Sequence, residues 1–220
     1  MNKLLLPLLI ILSLPLVFQS TPTEIVKLKT FDALVKQQEP SGNFTILNIT
    51  EENVAAEGGW PIPRKRLGEI NLDILAAGAL GVGWVISFPQ PDRMGGDQYF
   101  ASSLELGPTI LATFESPNGI YPKTTGTIIK GDDIGGILTQ GVVENISTLQ
   151  DKSLEGIATA PVDIDNLVRR IPLLLRTPDG WVSAFGTEVL KVLTGSRSYI
   201  ITTNDNGVQG IWNYAAGCNT

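Results

Sequence analysis

Trp60-Pro61-Ile62-Pro63-Arg64-Lys65-Arg66-Leu67-Gly68-Glu69-Ile70-Asn71-Leu72-Asp73-Ile74-Leu75 is the stretch on which the reading of this chain turns. Regular helix is excluded through Pro63, because each proline also restricts the residue before it. A helix then starts near Arg64, with Leu67, Ile70, Ile74 and Leu75 as its buried stripe and an end near Gly78. Residues 82–88, Val-Gly-Trp-Val-Ile-Ser-Phe, follow as a buried strand: apolar, β-branched and bounded by Gly and Pro.

Working outward, residues 44–49 read as a short strand, and residues 23–36 as an amphipathic helix with Ile25, Leu28, Phe31 and Val35 near helical spacing. Downstream, Asp97 is placed to cap a helix carrying Phe100 and Leu104. Residues 109–114, 127–130, 156–160 and 168–176 read as strands. Residues 182–193 read as a helix with Phe185, Val189, Val192 and Leu193 on one face. Strands at 198–203 and 208–214 flank Asn204-Asp205-Asn206-Gly207, whose Asn-Gly is a hairpin signal. Alternating helices and strands predict an α/β fold: one domain, a mixed and mostly parallel sheet flanked by helices, and an antiparallel hairpin at the C-terminus.

Composition narrows the chemistry. The 220 residues contain no His, which excludes Ser-His-Asp and Cys-His catalysis and imidazole metal ligation. A single Cys, Cys218, excludes an internal disulfide and a Cys-based zinc site, and reads as unpaired or as an intermolecular link. The net charge of −6 is a poor match for nucleic acid or an anionic membrane surface. Asn43-Phe44-Thr45, Asn48-Ile49-Thr50 and Asn145-Ile146-Ser147 match the N-glycosylation pattern.

Residues 4–18 are almost wholly apolar, and Lys3 precedes them. As a helix the run spans roughly 22 Å against a hydrocarbon core of about 30 Å. It carries Pro7 and Pro15 and suits the apolar part of an export signal. Small residues are not well placed for cleavage around Gln19-Ser20-Thr21, so residues 1–20 read as a signal peptide or a signal anchor. Either sends residues 21–220 across a membrane. The later run at 74–88 is broken by Gly78, Gly81 and Gly83, and no second span is expected.

Several motifs stand in a fixed order. Trp60-Pro-Ile-Pro-Arg64 comes first, then Phe88-Pro-Gln-Pro-Asp92-Arg93 with Gly96-Asp97, then Asp165-Asn-Leu-Val-Arg169-Arg170-Ile-Pro172-Leu. This order resembles the CHASE2 domain, an extracytoplasmic sensory domain of bacterial receptors, over residues 24–193. The departures are Asn48-Ile49-Thr50 where acids are usual, Val85 after Gly83-Trp84 where Asp is usual, and Asn166 where Gly is common. The resemblance implies ligand or partner binding outside the cytoplasm, with a conformational shift passed along residues 23–36. It further implies a small-molecule or protein ligand, a membrane contact through the N-terminal segment, and room for a homodimer. Receptors of this kind carry a cytoplasmic output domain. The sequence shows none, so it reads as a stand-alone version or as part of a longer frame.

Weighed on their own physics, Arg64, Lys65 and Arg66 open a helix, where cations oppose the macrodipole, so a partner for Arg64 is expected: a bound anion or a nearby Asp. If Arg169 and Arg170 lie on a strand, one points inward and needs an acid such as Asp92 or Asp165. Trp60, Arg64, Asp92, Arg93 and Arg169 form the candidate ligand-binding set. Asp132 and Asp133 lie in a Gly-rich loop without the alternating acids of a calcium loop. No catalytic residue, metal or cofactor is expected. Gly78, Gly81 and Gly83 connect helix to strand, the reverse of a dinucleotide fingerprint. Trp60, Trp84, Trp181 and Trp212 read as core and turn residues. Two further classes stay open: a stand-alone periplasmic or secreted binding protein, and a secreted hydrolase using carboxylates such as Asp92 or Asp133.

Overall fold

The computed structural model describes residues 21–36, 39–123, 126–132, 135–196, 198–205 and 207–214. The apolar leader, Asp133, Asn206 and Cys218 lie outside these. The chain divides into two compact units, Met1–Asn48 with Ala160–Ile171, and Ile49–Thr159 with Pro172–Thr220.

In the first unit, α1 (Thr21–Leu34) is the helix expected at 23–36. Its predicted apolar stripe is not a core stripe. Only Leu28 is buried, and Phe31 and Val35 are exposed. The strand expected at 44–49 is absent: the segment is irregular, and Phe44, Ile46, Leu47 and Ile49 are exposed. Its β-propensity is local, and a strand needs a partner to accept its backbone.

The second unit carries α2 (Glu51–Ala56), α3 (Arg64–Ala76), β1 (Val82–Trp84), α4 (Asp97–Leu104), β2 (Thr109–Ile120), β3 (Thr127–Lys130), β4 (Val142–Val143), α5 (Ser147–Gln150), β5 (Leu154–Ile157), β6 (Leu174–Thr177), β7 (Gly180–Ser183), α6 (Phe185–Leu193), β8 (Ser198–Asn204) and β9 (Gly207–Tyr214). The sheet runs β1-β2-β5, both pairs parallel, and β4 joins the far end of β2 antiparallel. A second sheet runs β3-β8-β9, parallel then antiparallel. β6 and β7 form a hairpin. The architecture is α/β, with mostly parallel pairing in the main sheet, flanking helices and antiparallel strands at the C-terminus.

Parallel strands buried on both sides read as continuous apolar runs. Thr109 to Thr113 of β2 does so, and all five residues are buried. The main core joins Leu67 of α3, Val82 and Trp84 of β1, Phe88, and Phe100 and Leu104 of α4. Phe100 meets Trp84 and Phe88 edge to face, at 5.6 and 5.3 Å between ring centroids. Ile70, Ile74 and Leu75 of the predicted α3 stripe pack against it, partly buried.

Three boundaries shift. The strand expected at 168–176 is β6 alone, because residues 163–167 close a turn and Pro172 follows. The first residues of the helix expected at 182–193 belong to β7, and α6 starts at Phe185. Asp97 is the first residue of α4 and not its cap, which is Gly96. Of the tryptophans, Trp84 and Trp181 are core residues, whereas Trp60 and Trp212 are exposed.

Candidate functional site

At the start of α3 the Trp60–Pro61 peptide is cis, and Ile62 enters the core. Pro63 caps the helix without a side-chain hydrogen bond. The orphan donor of the first turn is met from elsewhere in the chain. The Arg64 amide donates to Asp92 Oδ2 at 3.1 Å, and that carboxylate also accepts from the amides of Gly96 at 3.0 Å and Met94 at 3.1 Å. The Asp92 amide in turn donates to Asp97 Oδ2 at 2.7 Å. The anion that the helix N-terminus favours is therefore Asp92 itself.

Gly96 has to be glycine-sized here. A Cβ on it would lie 2.4 Å from the Lys65 nitrogen and 2.9 Å from Asp92 Oδ2. The Arg64 guanidinium lies over the Phe88 ring at 4.2 Å, with Nε 3.6 Å from Asp97 Oδ1 and Nη2 3.5 Å from the Gln90 carbonyl. The nearby Asp expected as one of two partners is Asp97. Burial pulls the Arg64 guanidinium below its ordinary value, against the raising charges of Asp97 and Asp92. For Asp92, partial burial pushes upward, but three amide donors and the Arg64 charge outweigh it, so the carboxyl titrates below the usual range.

An Asp92→Ala variant is expected to lose about 1–3 kcal/mol, because the helix loses its cap and two further amides lose their acceptor. Urea unfolding at pH 7 measures it. A variant indistinguishable from the parent would show that water replaces the carboxylate at no net loss.

Arg169 belongs to the first unit, and the other four candidates belong to the second. Its side chain is 6% exposed and is surrounded by carboxylates. Nε and Nη2 donate to Asp32 of α1 at 2.7 and 2.9 Å. Nη1 and Nη2 donate to Asp165 at 2.7 and 2.6 Å, and Nη1 also reaches Asp163 at 3.1 Å. Arg170, exposed, pairs with Asp163 at 2.8 Å. Two bidentate grips on one guanidinium are the strong form of this interaction. Asp165 is thus the expected partner, and Asp92 is engaged elsewhere. The cation held by these three acids is Arg169 itself. Among the described residues no cluster of acids or Cys is arranged to hold a metal ion.

The departure at Asn166 has a backbone cause. Its φ is 62°, and it is the one non-glycine residue with positive φ among those described. Gly adopts this conformation freely, and Asn tolerates it better than other residues. The Asn166 amide donates to the Asp163 carbonyl, and the Asp163 amide to the Leu167 carbonyl, so the turn that presents both acids to Arg169 is closed on itself.

Arg169 holds the Asp165 carboxyl down to about 2. The ordinary value is about 3.9. A depressed carboxyl stabilises the fold above its unfolded pKa, and the contribution is lost as pH falls from about 4 towards 2. Carbon-detected NMR titration of Asp165 is expected to show a midpoint near 2 in the parent. In Arg169→Gln it is expected to return towards about 3.9. An unchanged midpoint would exclude Arg169 as the cause.

Sequence reasoning missed four buried polar residues, Asn71, Asn145, Glu188 and Lys191. Asn71 accepts from Trp84 Nε1 at 3.0 Å and donates to the Ser103 carbonyl. Asn145 bonds to Phe88, Ala112 and Glu155. Glu188 and Lys191 pair inside α6 at 2.6 Å. Polar residues on an otherwise apolar stretch were the available signal, as with Asn71 on the inner side of α3.

Parallel strands flanked by helices, with a proline-framed approach to α3 and an acid-clamped arginine before β6, define an α/β domain. The chain belongs to the CHASE2 family, whose domain model matches residues 7–217, and CHASE2 domains are extracytoplasmic sensory domains. No curated protein and no solved structure matches the chain. No helix among the described residues is long and apolar enough to cross a membrane.

Proposed function

We propose that this chain is a non-enzymatic input module that binds a small molecule or a protein outside the cytoplasm and passes the change in conformation along α1. The observation that carries the reading is the grip of Arg169. One guanidinium holds Asp32 of α1 and Asp165 of the 163–167 turn, so the helix and the turn are tied to move together. A ligand shifts such an element only if it binds two arrangements unequally. The apolar run at 4–18 supports export, with the segment then cleaved or kept as an anchor. For the ligand surface the exposed side chains of Trp60 and Arg93 are the contact groups. Trp60 lies four residues before Arg64 and Arg93 directly follows Asp92. Arg64 and Asp92, turned to internal partners, position them.

The test is a thermal-shift screen of the full chain, with hydrogen exchange followed over residues 21–34. A ligand that raises Tm is expected to change protection in α1, and Arg169→Gln is expected to abolish that change while leaving the Tm rise. A ligand that stabilises the protein with α1 protection unaltered sinks the transmission reading. Turnover of the ligand sinks the non-enzymatic one.

A further inference from the structure

Two loops that lead into neighbouring parallel strands part at their base. Residues 105–108 run from α4 into β2, residues 151–153 run from α5 into β5, and between them opens a cleft of about 550 Å³. Ligand clefts fall in this size range and are largely preformed. Both walls are fixed from behind. Gly107 lies so close to Leu75 of α3 that a Cβ on it would meet that side chain at 2.6 Å, and the Pro108 carbonyl accepts from the Val82 amide at 2.9 Å. On the other side the Lys152 amide and the Ser153 hydroxyl both donate to the carbonyl of Leu149, which is buried in the main core.

The lining mixes apolar groups with charges of both signs. Leu104, Pro108 and Leu154 supply the apolar part, Glu105 and Asp151 are acidic, and Lys152 is basic. Lys152 Nζ reaches across to Glu105 Oε1 at 2.5 Å, with side chains 38% and 50% exposed. The hydrogen bond to Glu105, and then its charge, hold the Lys152 ammonium above its ordinary value, so it is a cation at neutral pH. An exposed pair of this kind adds little to stability and is readily exchanged. The charges select what can exchange with it. A phosphate or a simple carboxylate meets one cation beside two acids. A simple amine takes Glu105 and leaves Lys152 without its partner. A molecule with an ammonium and a carboxylate on one carbon serves both, the ammonium on Glu105 and the carboxylate on Lys152, and leaves its side chain to the leucines and Pro108. We propose that this cleft binds a free α-amino acid with an apolar side chain, which enters by replacing the Glu105–Lys152 pair. The site does not involve Trp60 or Arg93, and it stands whether or not α1 transmits a change.

The experiment titrates the full, isotope-labelled chain in detergent with each common L-amino acid and follows the amides of Gly107, Thr109, Ser153 and Leu154 by NMR. At least one amino acid with an aliphatic or aromatic side chain is expected to shift them saturably. Its carboxylic-acid analogue without the ammonium, and its amine analogue without the carboxylate, are each expected to bind about tenfold more weakly or worse. No saturable shift with any amino acid overturns the inference, as does equal binding of either analogue. Glu105→Gln/Lys152→Met removes both charges at exposed positions and is expected to abolish binding while the rest of the amide spectrum is kept. Leu154→Trp narrows the cleft with the pair intact and is expected to weaken binding as well, so the test does not hang on one variant folding. Parental affinity in either variant overturns the inference. Shifts confined to the residues around Trp60 and Arg93 place the amino acid at that other surface and overturn it too.

Discussion

Exchange of Lys191 for Met is expected to destabilise the fold by about 3–5 kcal/mol, the loss typical when one member of a buried ion pair is removed. Lys191 and Glu188 are three apart on α6, with Nζ 2.6 Å from Oε2 and side chains 8% and 2% exposed. While the pair is intact, attraction roughly offsets the desolvation of both charges. Lys191 also lies over the Tyr199 ring at 5.4 Å, and the Tyr199 hydroxyl donates to the Thr187 carbonyl at 2.6 Å, which ties α6 to β8. Without the ammonium the buried carboxylate loses its counter-charge, and the polar group left beside it is the Tyr199 hydroxyl, which already donates to Thr187. Its burial is then uncompensated, and admitting water to it disturbs the packing of α6. The double variant Lys191→Met/Glu188→Leu is expected to regain most of the loss, since a well-packed apolar pair replaces a buried ionic one with little penalty. Urea midpoints of the parent, both single variants and the double variant at pH 7 form the cycle. A Lys191→Met midpoint equal to the parent's would show that Glu188 is solvated in solution.

The same helix shows where sequence reading stops. Spacing put Phe185, Val189, Val192 and Leu193 inward, yet the fully buried positions are Thr187, Glu188 and Lys191, and Leu193 is exposed. Thr187 is satisfied from outside the helix, donating to the Leu173 carbonyl at 2.6 Å, and Glu188 and Lys191 compensate each other as an ion pair. Periodicity counts apolar residues and is blind to such partners. The α3 helix and β1 were legible because prolines, glycines and an uninterrupted apolar run act locally. Arg169 was legible in part. The rule that an inward charge needs an acid pointed to Asp165, four residues away, but Asp32 lies 137 residues distant. Residues 44–49 show the converse. Their composition favours a strand, and no strand among those described pairs with them.

Asn145 heads a glycosylation pattern that suggests a surface position, yet its surroundings are those of the core. The amide is 4% exposed. Its Oδ1 accepts from the Phe88 amide at 2.6 Å, and its Nδ2 donates to Glu155 Oε1 at 2.6 Å and to the Ala112 carbonyl at 3.3 Å. It therefore joins the end of the Phe88 segment to β2 and β5. Asn145→Ala is expected to cost about 3 kcal/mol, since it leaves a buried amide, a carbonyl and a carboxylate short of a partner at once. Glu155 sharpens the test. Burial pushes its carboxyl up, the hydrogen bond from Asn145 opposes this, and the Glu144 charge adds to the rise. A raised carboxyl favours the protonated form in the fold, so its contribution is present below the unfolded value of about 4.3 and is lost as pH rises through the folded one. Asn145→Asp removes the donor and sets a second carboxylate against Glu155. It is expected to be worse than Asn145→Ala at pH 7 and to close on it towards pH 4, where the two carboxyls share a proton. Parallel stability curves for the two variants between those pH values would show that Glu155 does not face position 145. The same geometry bears on modification: an amide nitrogen engaged twice inside the fold has no approach for a glycan, whereas Asn43 and Asn48 are exposed. Mass mapping after expression in a glycosylating host is expected to find sugar at 43 or 48 and none at 145.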